Sequence, residues 1–186
     1  MAFIVIEGDN GTGKDTLAQL MNKNNQYKIL TYDSKIREIE KYAKDAFGEE
    51  KIKRFLEYGK ASSDFALKQR GNIILVRYWI STLAAAYADG IYDYNKICEI
   101  MKNVCCDLCK PDIVFCLWCN FDSRINRIKE RNSTDFDDTT IKRSLRYEWI
   151  LKKLEKKSNL NWININTTGK SVNAVYHEAC KYLENK

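Results

Sequence analysis

The chain of 186 residues contains no long apolar run and only one histidine. A helix that crosses a bilayer needs about 20 predominantly apolar residues in succession, so we expect no contact with membranes. Met1 and Ala2 lead directly into an apolar segment, which predicts the absence of a signal peptide and a cytoplasmic location. The lone histidine, His177, lies in a helical pattern, which is more typical of a surface or packing residue than of a catalyst.

The sequence also lacks internal repeats, low-complexity tracts and blocks of one charge. Its net charge of +6 is spread along the chain, with basic residues interspersed among acidic ones. This distribution suits small anionic substrates and predicts no nucleic-acid partner, because nucleic-acid binding usually concentrates Lys and Arg on one face. The length predicts a single domain over residues 1–186, which can bury a sizeable core.

Seven cysteines are present, and four of them form two C-x-x-C pairs, Cys106 with Cys109 and Cys116 with Cys119. Four thiolates at such a spacing could hold Zn²⁺. Residues 113–118, however, have the composition of a buried strand, on which positions three apart face opposite sides. We therefore expect free, mostly buried thiols in a reducing compartment, and no zinc site.

Residues 3–16 read FIVIEGDNGTGKDT, an apolar run followed by a glycine-rich loop with a lysine. The pattern resembles the phosphate-binding loop G-x-x-x-x-G-K-[ST], in which backbone N–H groups and the lysine hold phosphates and the hydroxyl holds Mg²⁺. Gly8, Gly13 and Lys14 match it, whereas Asp15 takes the hydroxyl position and a threonine follows one residue late. The alternative, a turn that binds nothing, would leave the lysine without an anionic partner.

Apolar, strand-like runs alternate with helix-forming segments along the chain. Such alternation predicts an α/β fold with a five-stranded parallel sheet and helices on both faces. Ligands of such sheets bind beyond the carboxyl ends of the strands. Residues 35–70 are predicted to be helical, with a break near Gly48. The predicted strands are 3–6, 27–32, 72–76, 113–118 and 162–165.

Arginines occur at two places that suit phosphate binding. Arg77 ends the third predicted strand, and Tyr78 and Ser81 follow it. A guanidinium fixed there would bind a phosphate, although a surface arginine would show the same pattern. Arg127 and Arg131 lie one helical turn apart, either on a solvated face or on a cover that excludes water during phosphoryl transfer.

In their order along the chain, these segments resemble the thymidylate kinases (dTMP kinases), a family of P-loop nucleoside monophosphate kinases. The resemblance implies a P-loop NTPase fold with a lid at about 127–140. It also implies a homodimer, Mg²⁺, ATP as phosphoryl donor and a deoxynucleoside monophosphate, expected to be dTMP, as acceptor. The segments that carry it are FIVIEGDNGTGKDT, VRYWIS, KPDIVFCLW, RIKER with RSLRYEWI, and LNWININTTGKSVNAV.

The resemblance also implies roles for individual residues. The implied catalytic residues are Lys14, Arg77, Arg127 and Arg131. The implied ATP contacts are Gly8, Asp9, Asn10, Gly11, Thr12, Gly13, Lys14, Asp15, Thr16, Lys170 and Ser171. The implied acceptor contacts are Asn10, Asp33, Arg77, Tyr78 and Ser81.

Several positions depart from the family pattern. Asn10 replaces an acidic residue that bonds the sugar 3′-hydroxyl, and Val76 replaces an aspartate near the metal. Gly11 stands where some members carry an arginine, and members without it supply an arginine from the lid. A carboxylate is a harder and more charged ligand than a hydroxyl, so we expect Asp15 to hold Mg²⁺ directly.

The arginine that the family offers to the thymine ring has no clear counterpart, and Arg54 and Lys60 are the candidates. The family's R-E-P segment reads Tyr32-Asp33-Ser34. Two alternatives therefore stay open. One is a kinase for another nucleotide or for a deoxynucleoside, and the other is a nucleotide-binding protein that has lost catalysis.

Overall fold

The computed structural model describes residues 2–24, 27–30, 34–130 and 138–184. The strands within these residues are β1 (Phe3–Glu7), β2 (Lys28–Ile29), β3 (Ile73–Val76), β4 (Ile113–Trp118) and β5 (Trp162–Asn166). They form one sheet in the order β2-β3-β1-β4-β5, and each neighbouring pair runs parallel. The predicted α/β fold with a five-stranded parallel sheet is confirmed.

Four of the five strands differ in their bounds from the prediction. β1 and β5 each extend one residue further than predicted, to Glu7 and Asn166. β2 covers only Lys28–Ile29 instead of 27–32, because it lies at the sheet edge and pairs with β3 alone. Residues 31 and 32 of that predicted strand lie outside the described residues. β3 begins one residue later than predicted, and the side chain of Asn72 instead accepts a hydrogen bond of 2.9 Å from the Ala2 N–H.

Helices connect the strands and cover the sheet. They are α1 (Lys14–Lys23), α2 (Ser34–Asp45), α3 (Gly48–Leu67), α4 (Trp79–Ala88), α5 (Tyr94–Asp107), α6 (Phe121–Lys129), α7 (Asp138–Lys157) and α8 (Val172–Glu184). The predicted break falls between α2 and α3, where Gly48 has a φ of 54°. Asn120 caps α6 by accepting a hydrogen bond of 2.9 Å from the Ser123 N–H. Along the described chain, no helix is long and apolar enough to span a membrane.

Two apolar layers enclose the sheet. One contains Val5 and Leu75 and packs the sheet against α3, α4, α5 and α7. The other contains Ile6 and Phe115 and packs the opposite face against α1 and α8. Because both faces are buried, charged groups gather where the strands end, at the carboxyl edge of the sheet.

The six cysteine side chains that the structure describes are free thiols. Cys116, Cys119 and Cys180 are buried, whereas Cys106 is exposed. Burial raises the pKa of the Cys116 thiol to about 12, so it is protonated at neutral pH. Among the described residues, no group of three or more His, Cys, Asp or Glu side chains could hold a metal ion.

Candidate active site

The glycine-rich loop joins the end of β1 to the start of α1. Gly8, Gly11 and Gly13 have φ values of 136°, 79° and 95°, which favour glycine. A Cβ at Gly8 would lie 2.3 Å from the carbonyl oxygen of Leu117, and one at Gly11 would lie 3.1 Å from that of Arg124. The loop is therefore packed tightly against the end of β4 and against α6.

Lys14 is buried at the first turn of α1. Its ammonium group donates a hydrogen bond of 2.6 Å to the carbonyl oxygen of Asp9, inside the loop. Burial, and then the positive charge of Arg77, lower the pKa of Lys14 to about 8. A cation among backbone N–H groups at a helix N-terminus is the arrangement that binds phosphate.

The next two residues of α1 differ in their surroundings. The Asp15 side chain is exposed in the first turn, whereas Thr16 lines a cavity beside the loop. Mg²⁺ in phosphate-transfer sites usually keeps several waters and takes one or two carboxylates plus the phosphates. A single exposed carboxylate at the end of the loop fits a magnesium ion held in this way.

Arg77 follows β3 and adopts a φ of 66°. This left-handed conformation costs a residue with a side chain about 1–3 kcal/mol, so the surrounding contacts must hold it. Its guanidinium donates to the carboxamide oxygen of Asn10 at 2.7 Å, to the Tyr147 hydroxyl at 3.0 Å and to the Ser81 hydroxyl at 3.3 Å. Arg77 therefore joins the phosphate-binding loop to α4 and α7.

Glu7, at the end of β1, was missed by sequence reasoning. Its side chain is fully buried and accepts hydrogen bonds from the Tyr78 N–H at 2.9 Å and from the Ser81 hydroxyl. Burial raises the pKa of Glu7, while the Ser81 hydrogen bond and the charge of Arg77 oppose this rise. An acidic residue at the end of an otherwise apolar strand was the available signal.

A cavity of about 390 Å³ opens beside Arg77. It is lined by Asn10, Ser81 and Tyr147, which all contact the Arg77 guanidinium, and by further side chains of α2, α3 and α7. The lining side chains of these three helices include Glu40, Lys44, Phe55, Tyr58 and Arg143. The cavity thus combines an anion-binding group with aromatic side chains, which suits a nucleotide whose phosphate contacts Arg77.

The structure brings together three of the predicted acceptor contacts, Asn10, Arg77 and Ser81. Tyr78 also lines the cavity, but its ring packs against Phe3 and its hydroxyl donates to the carbonyl oxygen of Cys109 at 3.2 Å. Asp33 lies outside the described residues.

The two candidates for a base-reading cation do not line this cavity. Arg54 pairs with Glu50 at 2.7 Å, and Lys60 lies 3.8 Å from Asp64 on the same helix. Arg143 of α7 lines the cavity instead, and its guanidinium also pairs with a neighbouring carboxylate. Sequence reasoning missed Arg143 because residue spacing does not tell which helices border the cavity.

A second cavity, of about 280 Å³, lies on the other side of the loop. Arg127 of α6 lines it and donates to the Thr167 carbonyl at 2.7 Å, the Thr167 hydroxyl at 2.9 Å and the Gly11 carbonyl at 3.3 Å. Predicted ATP contacts that also line it are Thr12, Gly13, Thr16, Lys170 and Ser171. The loop after β5 therefore meets the phosphate-binding loop here.

The predicted lid at 127–140 overlaps two helices. Residues 127–129 form the end of α6, and 138–140 form the start of α7. Arg131, together with residues 132–137, lies outside the described residues. Apart from Glu130, which caps the end of α6, the described portion of the predicted lid is therefore regular helix.

Asp9, another predicted ATP contact, directs its carboxylate toward α6 and α7. It accepts a hydrogen bond of 2.7 Å from the Ser144 hydroxyl and lies 3.0 Å from the Arg124 guanidinium. Only its backbone carbonyl meets the ammonium group of Lys14. The anionic charge of Asp9 is thus neutralised away from the interior of the loop.

A phosphate-binding loop between two cavities, with arginines on both sides, is the arrangement of a nucleotide kinase. The model of the thymidylate kinase family matches residues 6–179. The chain belongs to the thymidylate kinase family. It is therefore a nucleoside monophosphate kinase, and the family resemblance found in the sequence is confirmed.

Individual relatives agree with this assignment. The chain is 30% identical over 194 residues to the probable thymidylate kinase of Methanocaldococcus jannaschii, covering 98% of this chain and 96% of that protein. It is 32% identical over 144 residues to the thymidylate kinase of Brachyspira hyodysenteriae, covering 69% of this chain and 68% of that protein.

Solved structures share the fold. The deoxyadenosine kinase from M. mycoides with bound dCTP matches with a TM-score of 0.68 and 21% identity, over 99% of this chain and 100% of that chain. The thymidylate kinase from Ehrlichia chaffeensis matches with a TM-score of 0.66 and 21% identity, over 98% of each chain. The predicted P-loop kinase fold is thus confirmed.

Proposed function

We propose that the protein transfers the γ-phosphoryl group of ATP to the phosphate of dTMP, giving dTDP and ADP. The observation that carries this proposal is the contact of 2.7 Å between Arg77 and Asn10. This contact holds Arg77, the cation of the cavity of about 390 Å³ (the acceptor cavity), against the phosphate-binding loop (the donor loop). The guanidinium of Arg77 and the ammonium group of Lys14 are thus both placed at this loop. Convergent cations of this kind are what transfer between two phosphates requires.

Catalysis of this reaction depends on the positioning of the two phosphate groups rather than on proton transfer. An ionised oxygen of the acceptor phosphate attacks the γ-phosphorus in line, and the bond to the β-γ bridging oxygen breaks as ADP leaves. Lys14 neutralises the donor phosphates, and Arg77 neutralises and orients the acceptor phosphate. Arg127 lines the cavity of about 280 Å³ on the other side of the loop (the donor cavity), where it contributes positive charge. Arg131 is assigned the same role by resemblance.

Mg²⁺ and ATP are part of the same proposal. When bound, the metal ion neutralises charge on the donor phosphates. The Asp15 carboxylate, in the first turn of α1, would hold it in place of the hydroxyl of the usual loop. Lys170 and Ser171, which line the donor cavity, would contact the nucleoside part of ATP.

A different acceptor base is the second candidate, because α3 brings no arginine into the acceptor cavity. The charged side chains that α2 and α7 bring to this cavity are Glu40, Lys44 and Arg143, and the first two form an ion pair of 2.6 Å. Lys44 and Arg143 donate hydrogen bonds and Glu40 accepts them, so this set of side chains is compatible with more than one base. The acceptor class is therefore proposed as deoxynucleoside monophosphates, with dTMP first.

A substrate panel tests this function. ADP release would be followed with Mg²⁺-ATP and each deoxynucleoside monophosphate, each ribonucleoside monophosphate and each deoxynucleoside, with Lys14→Met as the inactive control. We expect release with monophosphates and the highest kcat/KM with dTMP. Release with deoxynucleosides alone would make the protein a nucleoside kinase, and ATP binding without release on any acceptor would make it a binding protein.

We also infer a homodimer in the cytoplasm, as the family resemblance implies. Two large aromatic side chains near the junction of α2 and α3 are exposed, with 85% exposure at Phe47 and 59% at Tyr42. Exposed apolar side chains of this size support an interface between copies. Light scattering would show twice the mass of one chain if the inference is right, and the mass of one chain if it is wrong.

A further inference from the structure

Arg124 of α6 is a buried charge that contacts the loop and α7 at once. Its side chain is only 3% exposed. One terminal nitrogen donates to the Glu148 carboxylate at 2.5 Å, and the other contacts the Ser144 hydroxyl and lies 3.0 Å from the Asp9 carboxylate. A planar guanidinium holds its N–H donors in fixed directions, which allows it to contact these three side chains at once.

The Asp9 carboxylate connects Arg124 to the backbone of the phosphate-binding loop. Its second oxygen accepts a hydrogen bond of 2.7 Å from the Asn10 N–H. The side chain of Asn10 in turn accepts the bond of 2.7 Å from Arg77. A continuous series of polar contacts therefore runs from Glu148 through Arg124, Asp9 and Asn10 to Arg77.

We propose that Arg124 is a positioning residue for phosphoryl transfer. By fixing the Asp9 carboxylate, it sets the conformation in which Asn10 holds Arg77, and so it aligns the acceptor arginine with the donor loop. It touches neither substrate in this proposal. The inference rests on the proposed function, because alignment of two phosphate groups matters only if both are bound.

Two further observations favour alignment over simple stabilisation. The Arg124 Nε is buried and has no hydrogen-bond partner among the described residues, and buried ion pairs often contribute little net stability. In addition, the Arg124 carbonyl oxygen lies 3.1 Å from where a Cβ on Gly11 would stand. The helix that carries Arg124 is thus packed directly on the loop.

The test compares Arg124→Gln with Asn10→Ala and with the double variant. Misalignment of reacting groups can cost about 100-fold in rate, so we expect Arg124→Gln to lower kcat by about that factor, with a smaller change in KM for ATP. If Arg124 acts through Asn10, the double variant is no slower than the slower single variant. Losses that multiply in the double variant would overturn the proposal.

Folding is checked separately. Assays run at a temperature where circular dichroism shows each variant to be folded. Arg146→Gln is the matched control, because Arg146 lies exposed on α7 and donates to the Tyr87 carbonyl at 2.7 Å, away from the loop. Addition of Asp9→Asn to Arg124→Gln removes the unpaired carboxylate, and we expect partial recovery of kcat. A folded Arg124→Gln protein with normal kcat would contradict the proposal.

A binding measurement separates this inference from the proposed function. Calorimetry would compare dTMP affinity with and without a non-hydrolysable ATP analogue. In the wild type we expect the analogue to tighten dTMP binding, and in Arg124→Gln we expect that enhancement to fall to near unity. The same enhancement in both proteins would overturn the inference. Absence of ADP release by the wild type would overturn the proposed function, and the calorimetry would still show whether Arg124 couples the two binding sites.

Discussion

The guanidinium of Arg77 lies 2.7 Å from the carboxamide oxygen of Asn10, so the arginine of the acceptor cavity rests on the phosphate-binding loop. The backbone of Arg77 is left-handed, with a φ of 66°. Contacts with Asn10, Ser81 and Tyr147 hold it in that conformation. These side-chain contacts thus offset the backbone strain at Arg77 and direct its guanidinium at the phosphate-binding loop.

Two substitutions at Arg77 separate the phosphate-binding role of its side chain from the strain of its backbone. We expect Arg77→Ala and Arg77→Gly both to lower kcat/KM for the acceptor by about 100-fold, because each removes the phosphate-binding cation. The glycine variant is expected to be about 1 kcal/mol more stable than the alanine variant, since glycine adopts positive φ without strain. Steady-state kinetics and urea unfolding measure the two effects. Near-normal turnover in either variant would contradict the acceptor-site assignment.

Nucleotide binding should take up a proton at Lys14. Because burial lowers the pKa of Lys14 to about 8, much of it is neutral at pH 8.5, whereas bound phosphates favour its charged form. Binding is then expected to weaken as pH rises above about 8. Calorimetry at pH 8.5 in two buffers of different ionisation enthalpy would reveal the uptake. Lys14→Met serves as the control, and equal uptake in both proteins would exclude Lys14 as its source.

Asp15 should make ATP binding depend steeply on Mg²⁺. An exposed carboxylate beside a triphosphate repels it unless a metal ion lies between them. We expect Asp15→Thr, which restores the usual hydroxyl, to bind ATP more tightly without Mg²⁺ and to gain less from its addition. ATP titrations with and without Mg²⁺ would measure this, with Asp15→Asn as the isosteric control. The same metal dependence in all three proteins would rule out a metal role for Asp15.

Glu7 should contribute strongly to stability, because it accepts two hydrogen bonds from the start of α4 in a fully buried position. Glu7→Ala removes the acceptor for the Tyr78 N–H and the Ser81 hydroxyl in a fully buried position. We expect a loss of about 3 kcal/mol in the free energy of unfolding. Glu7→Gln keeps one oxygen acceptor, so its loss should be clearly smaller. Urea unfolding would measure both.

Glu99→Ala is the surface control for Glu7. Glu99 forms an exposed pair of 3.0 Å with Lys96, and exposed pairs contribute about 0–1 kcal/mol. Equal losses for Glu7→Ala and Glu99→Ala would show that the buried carboxylate does not anchor α4.

The local part of the site could be predicted from the sequence. The phosphate-binding loop is contiguous, and the order of strand, loop and helix follows from apolar runs and glycines. The edge strand β2 was overestimated, because its length depends on pairing with β3 and not on its own composition.

The contacts between site residues that are distant in the sequence could not be predicted. Glu7 and Ser81 are 74 positions apart, and Asp9 and Ser144 are 135 apart. Their contact depends on how α4 and α7 pack on the sheet, which residue spacing does not encode. The same reason explains why Arg54 and Lys60 were candidates for the acceptor cavity, while Arg143 from a distant helix lines it.

The buried ammonium of Lys14 also affects how the protein should be handled. A pKa lowered from 10.5 to about 8 corresponds to a net penalty of about 3 kcal/mol on the charged form, first from burial and then from the nearby charge of Arg77. This is a large part of the 5–15 kcal/mol that typically stabilises a domain. This group destabilises the fold below pH 8, and its penalty is relieved as pH rises from about 8 to 10.5. Inorganic phosphate that occupies the loop would offset the same penalty. Melting temperatures measured in phosphate buffer should therefore exceed those measured in an amine buffer at the same pH and ionic strength.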